Sequence, residues 1–517
     1  MKKILPVLLL ALIGACLAFK GAESVNRLMS SDLVAVAFAE GGDDAYYYLT
    51  IARNAARGFG ITIDGVEWTS GIQPLWGLVC AIAYLAGSDR AAFSLLYLTS
   101  YVLWIAGAFL LVVFAQRATR LPLPVLAIPL IAGLFFWDRQ LNDLYMNGME
   151  SGLYISALLL FLLVGQRSAG TKVRTPSVRR AVVFGLSAGF LMLARNDGVF
   201  VCAFVMIALL IGDRSIARLY ELMVAGVIAC ALVLPWIAYC YWVAGLLVPQ
   251  SGVATSAALR PFSHPLDTIR AFIVSFIPIL FVRVRMLLTE TPLVGGLIAG
   301  LLTIGLTFAV FRPRSPLADR ATRLVLLAFA ASNVVLLAYY PLVSSAVQFY
   351  ERYFGPVKLL VIIMTSLVIV GAARRFEASK VFASVASLAV VAAVLSNVYW
   401  IAEPWGVPYR GYFGSSAYAL ARSPFMSDGS RIGMMESGRF GFMLPDRVVN
   451  LDGKMRVPAL RALQQGKLDE EIRRGNFDYI LLNVFDEAFF DERAPAWRRR
   501  YSKVGQLGTL AVFERTQ

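Results

Sequence analysis

Long apolar runs separated by short polar connections dominate the chain up to about residue 402. A run of about 17 to 25 apolar residues is long enough to cross a bilayer as a helix. The pattern therefore predicts an all-α polytopic membrane domain with about eleven transmembrane helices. The predicted crossings lie at about 4–19, 91–115, 121–137, 151–165, 181–194, 198–212, 222–244, 292–311, 324–341, 356–372 and 380–401.

Two further apolar stretches, 74–87 and 271–288, are poor candidates for full crossings. The first is about fourteen residues long, which is shorter than a bilayer-spanning helix. The second carries Arg283 and Arg285 near its end, and charges inside a membrane are costly. We therefore expect both stretches to lie at the outer interface or to re-enter the membrane.

The composition changes at about residue 403, where charged residues become dense and glycines separate short apolar runs. Residues 477–483 and 508–514 have the composition of strands. The sequence therefore predicts a transmembrane domain at 1–402 and a small extracytoplasmic α/β domain at 403–517.

Basic residues outnumber acidic ones by 48 to 33, which gives a formal net charge of +15. Most of the excess lies in short connections between predicted crossings, so it indicates membrane topology and not nucleic-acid binding. Because short basic loops stay cytoplasmic, we predict a multi-pass membrane protein with its N-terminus inside and its C-terminus outside. The most basic connections lie at 117–120, 167–180, 214–218, 312–323 and 374–380.

The N-terminal segment 1–19 also has the pattern of a secretory signal, with Lys2 and Lys3 before an apolar run. A retained first helix fits the predicted topology better, because the rest of the chain is itself embedded in the membrane. The first outer loop is then predicted at 20–71.

Cysteine and histidine offer little chemistry in this sequence. The five cysteines lie inside apolar segments without the spacing of a metal site or a disulfide framework. The single histidine, His264, rules out a multi-histidine metal site. Carboxylates are therefore the expected acid and base groups.

The first outer loop carries the strongest motif, an acidic pair followed by three tyrosines. A helix predicted over 45–57, ending at Gly58, places Asp43 and Asp44 at its N-terminus. The helix dipole favours ionised carboxylates at that end. The structural alternative is that one of the two acids is simply an N-cap.

The segment DDAYYYLTIARNAARGFG, with the later TSGIQPLW, resembles the first extracytoplasmic loop of GT-C glycosyltransferases, among them bacterial arabinofuranosyltransferase-like proteins. The resemblance implies a membrane glycosyltransferase with a polyprenyl-phosphate sugar donor, in which Asp43 is the catalytic base. Gln73 stands where these proteins have Asn or His. The matched positions expected to bind substrate are Tyr46, Arg53, Gln73 and Trp76.

Weaker likenesses to the same family extend over most of the chain. NGMESGLY (147–154), LARNDGVF (193–200) and QFYERYFGP (348–356) are similar to later family segments, and RIGMMESGRFGFMLPDRVVNLDGK is similar to its outer domain. Asn196 and Asp197 replace the proline and glutamate of the family pattern. These likenesses add Asp197 and Tyr353 to the expected substrate-binding residues.

The chemistry of a lipid-phosphate donor suits these residue types. A phosphate departs without protonation, so arginines are enough to hold it, and Arg195 and Arg352 are the candidates. The acceptor hydroxyl needs a base, for which we select Asp43, with inversion at the sugar carbon. Asp44 and Glu150 are expected to support it by orienting the acceptor or balancing charge.

The expected partners are the lipid bilayer, the lipid-linked sugar donor and a glycan or lipid acceptor of the cell envelope. Several carboxylates in one loop can also bind Mg²⁺ or Mn²⁺, although no metal-spacing motif is present.

Each candidate residue has a structural alternative. In the structural alternative for Glu150, its charge only complements a helix dipole. In the alternative for Arg195 and Asp197, the two residues only mark an outer turn. Arg352 pairs locally with Glu351. For the aromatic residues, an interfacial belt is favoured over sugar stacking. The residues of this proposed belt are Tyr46, Tyr47, Tyr48, Trp68 and Trp76.

Two other function classes compete with a glycosyltransferase. A secondary transporter suits many crossings with few buried charges, but the sequence has no inverted repeat, and a carrier needs no long acidic loop or outer domain. An enzyme of the O-antigen ligase or polymerase class usually has its arginines in a large late loop. The distinctive motif of this chain follows the first helix instead.

Overall fold

The computed structural model describes residues 4–30, 42–120, 122–258, 265–278, 282–344, 350–376, 379–402, 429–484, 486–507 and 510–516. The first helices are α1 (Ile4–Ser30), α2 (Asp43–Ala56), α3 (Pro74–Tyr84), α4 (Asp89–Thr119), α5 (Ala127–Trp137), α6 (Arg139–Met146), α7 (Ser151–Ala169), α8 (Val178–Ala194) and α9 (Gly198–Gly212). They are followed by α10 (Ile216–Ala244), α11 (Gln250–Ala258), α12 (Pro265–Phe276), α13 (Val282–Glu290), α14 (Pro292–Phe311), α15 (Arg320–Tyr339), α16 (Tyr350–Tyr353), α17 (Gly355–Arg375) and α18 (Lys380–Ala402).

Each of the predicted crossings coincides with one of these helices, which confirms the polytopic all-α architecture. Within the described residues, seven helices are long and apolar enough to cross a membrane. They are α1, α4, α7, α10, α14, α15 and α17. The first outer loop does not begin at residue 20 as expected, because α1 continues to Ser30.

The two doubtful stretches form short helices. Stretch 74–87 contains the eleven-residue α3, and 271–288 is divided between α12 and α13. Ile277 and Pro278 are not helical, and residues 279–281 lie outside the described part. The position of both stretches relative to the membrane stays a prediction.

Two helices form the centre of the membrane domain. In α7 and α17, 72% of the most apolar window is buried inside the protein, whereas α10 and α14 bury 17% and 22%. Helices that are apolar on all faces suit either a protein interior or lipid. The central pair therefore packs against protein, and the peripheral pair presents its apolar side chains to the bilayer.

A buried ion pair fixes the start of α17. The Lys358 ammonium lies 3.2 Å from a carboxylate oxygen of Asp138, and both side chains are fully buried. The other Asp138 oxygen accepts the Leu141 N–H and caps α6. Each charge compensates the other, since an isolated charge is costly in this environment. Nothing in the local sequence pattern predicts this pair, since its two residues are 220 positions apart.

The C-terminal part is a small α/β domain, as predicted. Its elements are β1 (Ile432–Met434), α19 (Gly438–Met443), β2 (Val448–Asn450), α20 (Val457–Gln464), α21 (Leu468–Gly475), β3 (Tyr479–Asn483), α22 (Glu487–Arg493), β4 (Tyr501–Leu507) and β5 (Leu510–Arg515). The sheet has the order β2-β1-β3-β5-β4; β1 pairs in parallel with β2 and β3, and β5 pairs antiparallel with β3 and β4. The predicted domain boundary at residue 403 falls outside the described residues.

The C-terminal domain packs onto α2 through α19. The Phe442 ring lies between Tyr46 and Phe93, with centroid distances of 5.6 and 5.8 Å. The approach is close enough to require glycine, because a Cβ on Gly438 would lie 2.1 Å from the Asp43 carbonyl oxygen. The acidic pair therefore lies where the two domains meet.

Candidate functional site

Helix α2 begins at the acidic pair itself, two residues before its predicted start. The N-cap is Gly42, so Asp43 and Asp44 lie in the first turn and neither is the N-cap. The helix ends at Ala56, and Gly58 has a φ of +87°, which glycine adopts without strain. The N-cap alternative is therefore wrong, while the favourable position at the helix dipole is confirmed.

Asp43 contacts the backbone of the C-terminal domain. Its two carboxylate oxygens accept hydrogen bonds of 2.9 Å from the N–H groups of Gly438 and Arg439. Burial raises the pKa of the Asp43 carboxyl above its ordinary value, although the Arg439 charge and these hydrogen bonds oppose the shift. Asp43 is thus the more basic carboxylate of the pair.

Asp44 lies between two cations. Its oxygens are 3.3 Å from the Arg352 guanidinium and 3.5 Å from the Lys454 ammonium. Burial by itself would raise the pKa of Asp44, but the charges of Lys454 and Arg352 lower it below its ordinary value. Adjacent carboxyls with pKa values shifted in opposite directions are suited to different tasks.

The structural alternative for Arg352 was a local ion pair with Glu351, and the structure does not form it. Glu351 is 2.6 Å from Arg285, so the local pair is wrong. Besides Asp44, Arg352 contacts the Met149 sulfur at 2.8 Å and lies against the Tyr353 ring. The arginine therefore points toward the acidic pair.

Arg195 supports this arrangement from the turn between α8 and α9. It forms a 2.7 Å ion pair with Asp197, and it donates to the Tyr340 hydroxyl and to the Arg352 carbonyl oxygen. The Tyr340 ring stacks on Tyr353 with a centroid distance of 4.4 Å. The predicted turn thus fixes the backbone position of Arg352, which a purely topological role does not require.

Glu150 joins the same region through a tyrosine. The Tyr48 hydroxyl donates to a Glu150 oxygen at 2.9 Å and accepts the Gln73 backbone N–H at 3.0 Å. Glu150 also precedes α7, as expected, so the helix-dipole interpretation is compatible with this contact. The side chain is buried and linked to the loop that carries the acids.

The C-terminal domain contributes residues that the sequence pattern did not predict. The Tyr47 hydroxyl lies 3.4 Å from both Ser437 and Asp452, and Asn450 donates to it at 3.2 Å. The tail segment that resembles the family's outer domain contains Ser437, Asn450, Asp452 and Lys454. That likeness was the available signal, but nothing in it identified which side chains reach α2.

Other predicted site residues lie apart from the acids or inside the protein. Arg53, near the other end of α2, donates to the Phe442 carbonyl oxygen and pairs with Asp89. The Trp76 indole donates to the Gly148 carbonyl oxygen. These contacts give both residues a structural role and leave their substrate binding a prediction.

The interfacial belt is wrong for four of its five aromatic residues. Trp68, at 45% exposure, packs on Trp242 and Tyr239 and still suits such a belt. The other four are at most 4% exposed, because they pack against protein and not against head groups. They are Tyr46, Tyr47, Tyr48 and Trp76. His264 lies outside the described residues.

These features define a class: a polytopic membrane protein with an acid and arginine site beneath a small α/β domain. No family model matches the sequence, and no curated protein matches it. Solved structures do. The crystal structure of ArnT from Cupriavidus metallidurans bound to undecaprenyl phosphate is similar to this chain, with a TM-score of 0.56 and 11% sequence identity. The alignment covers 95% of this chain and 97% of the ArnT chain.

The oligosaccharyltransferase AglB from Archaeoglobus fulgidus, in complex with an inhibitory peptide and a dolichol-phosphate, is similar over 97% of this chain and 74% of its own. The TM-score is 0.53 and the identity 13%. A structure of the same oligosaccharyltransferase in complex with Zn and sulfate has a TM-score of 0.52 and 14% identity. These likenesses confirm the predicted GT-C type fold.

The acidic site does not fit a divalent cation in this conformation. Both Asp43 oxygens accept backbone N–H groups, and Asp44 is paired with Arg352 and Lys454. Across the described residues, no three Asp, Glu, His or Cys side chains are grouped as metal ligands. The expectation of Mg²⁺ or Mn²⁺ therefore finds no matching ligand set.

Proposed function

We propose that this protein transfers a sugar from a polyprenyl-phosphate donor to a hydroxyl group of a glycan or lipid acceptor. The observation that carries the proposal is the pair Asp43 and Asp44, whose pKa values are shifted in opposite directions beside Arg352. Asp43 is suited to accept a proton, whereas Asp44 is already paired with Arg352 and Lys454. A secondary transporter has no need for this pairing or for a domain docked onto it.

Asp43 is the general base of the proposed reaction. Its raised pKa makes it a stronger base than Asp44, and each carboxylate oxygen has lone pairs beyond those used by Gly438 and Arg439. As the acceptor oxygen bonds to the sugar carbon, its proton passes to Asp43. The bond from that carbon to the phosphate oxygen breaks, and the lipid phosphate leaves unprotonated with inversion at the carbon.

Arg352 holds the phosphate of the donor in this proposal. It is aimed at the acidic pair, and 15% of its side chain is exposed compared with 5% for Arg195. A guanidinium fork matches the oxygens of a phosphate. Arg195 is committed to Asp197 and fixes the position of Arg352 through its carbonyl oxygen.

The remaining predicted residues surround this centre. Glu150 and Asp44 orient the acceptor or balance the charge that develops on the sugar. The substrate-binding set is Tyr46, Arg53, Gln73, Trp76, Asp197 and Tyr353. The basic connections support a site at the outer face of a bacterial inner membrane. ArnT bound to undecaprenyl phosphate and AglB with a dolichol-phosphate support a polyprenyl phosphate as the lipid.

Turnover in isolated membranes tests this function. Membranes that contain the protein are supplied with a panel of radiolabelled undecaprenyl-phosphate monosaccharides, and transfer to membrane glycans is measured. We expect Asp43→Asn to lower the rate by about 100-fold or more, because the general base is lost, while the protein accumulates normally. Asp267→Asn, at an exposed carboxylate of α12, is the matched control and should retain the wild-type rate.

Two results contradict the proposal in different ways. If Asp43→Asn turns over donor at the wild-type rate, the base is misassigned. If the wild type transfers no sugar from any donor of the panel, the donor class is wrong.

A further inference from the structure

Lys454 reaches from the C-terminal domain into the acidic site. Its ammonium lies 3.5 Å from an Asp44 oxygen and 3.8 Å from an Asp452 oxygen. Its backbone N–H donates to the other Asp452 oxygen at 2.8 Å. The side chains of Lys454 and Asp44 are 13% and 18% exposed, so water screens this contact only partly.

Several carboxyls share the charge of this lysine. Burial raises the pKa of Glu436 to about 8 and the pKa values of Asp452 and Asp486 to about 6, and Lys454 opposes each shift. Asp44 and Asp452 both lie within 4 Å of the Lys454 ammonium, and two carboxylates that share one cation repel each other when it is removed. Carboxylate oxygens are also the ligands that hard divalent cations prefer.

We propose that the Lys454 ammonium is the fixed cation of this site and takes the place of a divalent metal between Asp44 and Asp452. The inference rests on the proposed function, in which Asp44 faces the donor-binding Arg352. Lys454 is then a positioning residue, since it holds Asp44 charged and in place.

The backbone around Lys454 is built for this reach. Gly453 has a φ of +75°, and a Cβ there would lie 2.7 Å from the Leu460 Cα. A Cβ on Gly71 would lie 2.2 Å from the Lys454 carbonyl oxygen. Gln250 donates to the Gly453 carbonyl oxygen at 3.3 Å. The loop is therefore held by the first outer loop on one side and by α11 on the other, and both contacts position the Lys454 ammonium next to Asp44.

Binding of Mn²⁺ to the purified full-length protein tests the inference without any turnover assay. Electron paramagnetic resonance of free Mn²⁺ measures the affinity of the wild type, Lys454→Met and Lys454→Arg. We expect Lys454→Met to bind Mn²⁺ at least tenfold more tightly than the wild type, because the carboxylates lose their cation. Lys454→Arg should behave like the wild type, and the double variant Lys454→Met/Asp44→Asn should lose the gained affinity.

Turnover supplies the second arm. Sugar transfer by the wild type should persist in EDTA. The transfer rate of Lys454→Met should be at least tenfold lower than that of the wild type, and added Mn²⁺ should restore part of it. A wild type that binds Mn²⁺ as tightly as Lys454→Met, or that stops in EDTA and recovers with Mn²⁺, overturns the inference while leaving sugar transfer intact. If no donor is turned over, the proposed function fails and the Mn²⁺ affinities still decide the role of Lys454. If Lys454→Met does not accumulate, the Mn²⁺ affinity of the wild type and its transfer rate in EDTA decide the question alone.

Discussion

The Arg352 guanidinium lies 3.3 Å from the Asp44 carboxylate, and the two residues are 308 positions apart in the chain. The contact joins the first turn of α2 to the short helix α16, which precedes the central helix α17. Each side chain is more than four-fifths buried, so each depends on the other to offset lost hydration. The proposed role in sugar transfer and a role in stability therefore coincide in one ion pair.

Removing one member of this pair should destabilise the protein. We expect Arg352→Gln to cost about 3 kcal/mol, because it leaves the Asp44 charge buried without its full compensation. The double variant Arg352→Gln/Asp44→Asn should recover most of the melting temperature in detergent but none of the turnover. Arg270→Gln, in an exposed pair, is the control and should cost less than about 1 kcal/mol. Equal melting temperatures for Arg352→Gln and wild type would contradict the expected dependence.

Two glycines of α19 offer a matched test of domain docking. A Cβ on Gly438 would lie 2.1 Å from the Asp43 carbonyl oxygen and 2.9 Å from its carboxylate, whereas a Cβ on Gly441 meets nothing within 4 Å. We expect Gly438→Ala to lower turnover at least tenfold. Gly441→Ala should keep the rate and gain up to about 1 kcal/mol from its helix propensity. Equal turnover by both variants would show that close docking is not required.

Stability should fall as the pH rises from about 5 to 8. The pKa of Glu436 rises from 4.5 to about 8 on folding because of burial, so the folded state holds an extra proton in this window. A state that binds more protons is favoured at low pH, and its advantage is lost as the pH rises to the folded pKa. The groups that act on Glu436 are Lys454, Asp486, Asp43 and Asp44.

Melting temperatures measured between pH 5 and pH 8 check this dependence. Glu436→Gln should melt higher than the wild type at pH 8 and show a flatter profile, because it carries no titrating proton at that position. A wild-type melting temperature that climbs between pH 5 and pH 8 would contradict the assigned direction.

The predicted topology can be tested by labelling with a membrane-impermeant maleimide. Val66→Cys, at a site that is 78% exposed in the first outer loop, should react in intact cells. Arg174→Cys, in the basic connection 167–180, should react only after the membrane is opened. Labelling of Arg174→Cys in intact cells would invert the topology.

The helices of the membrane domain were predictable because their signal is local. Apolar runs at 91–115 and 292–311 became α4 and α14, since a bilayer requires backbone hydrogen bonds to be satisfied within the helix. Helix α2 followed from its acidic start and from the glycine after its end. Such features depend on neighbours within a few turns of the chain.

The partners of the site residues were not predictable in this way. Arg352 stands next to Glu351 in sequence yet pairs with Asp44, because α16 presents neighbouring side chains to different surroundings. Lys454 gave no local sign of its role, since its partner Asp44 lies 410 residues away. The tyrosines after the acidic pair suited an interface by composition. Instead, Tyr46 and Tyr47 are buried against the C-terminal domain, and Tyr48 is buried against Glu150 and Gln73.

The sequence by itself determined the membrane architecture, the small C-terminal domain and the acidic start of α2. Patterns of hydrophobicity and charge are local, because each involves residues that are close together in the chain. They can therefore be recognised in the sequence without knowledge of the fold. Only the tertiary structure decided that Asp43 meets backbone N–H groups while Asp44 meets Arg352 and Lys454. The pKa of a buried carboxyl depends on which charges folding brings within a few ångströms, and this proximity is independent of distance along the chain.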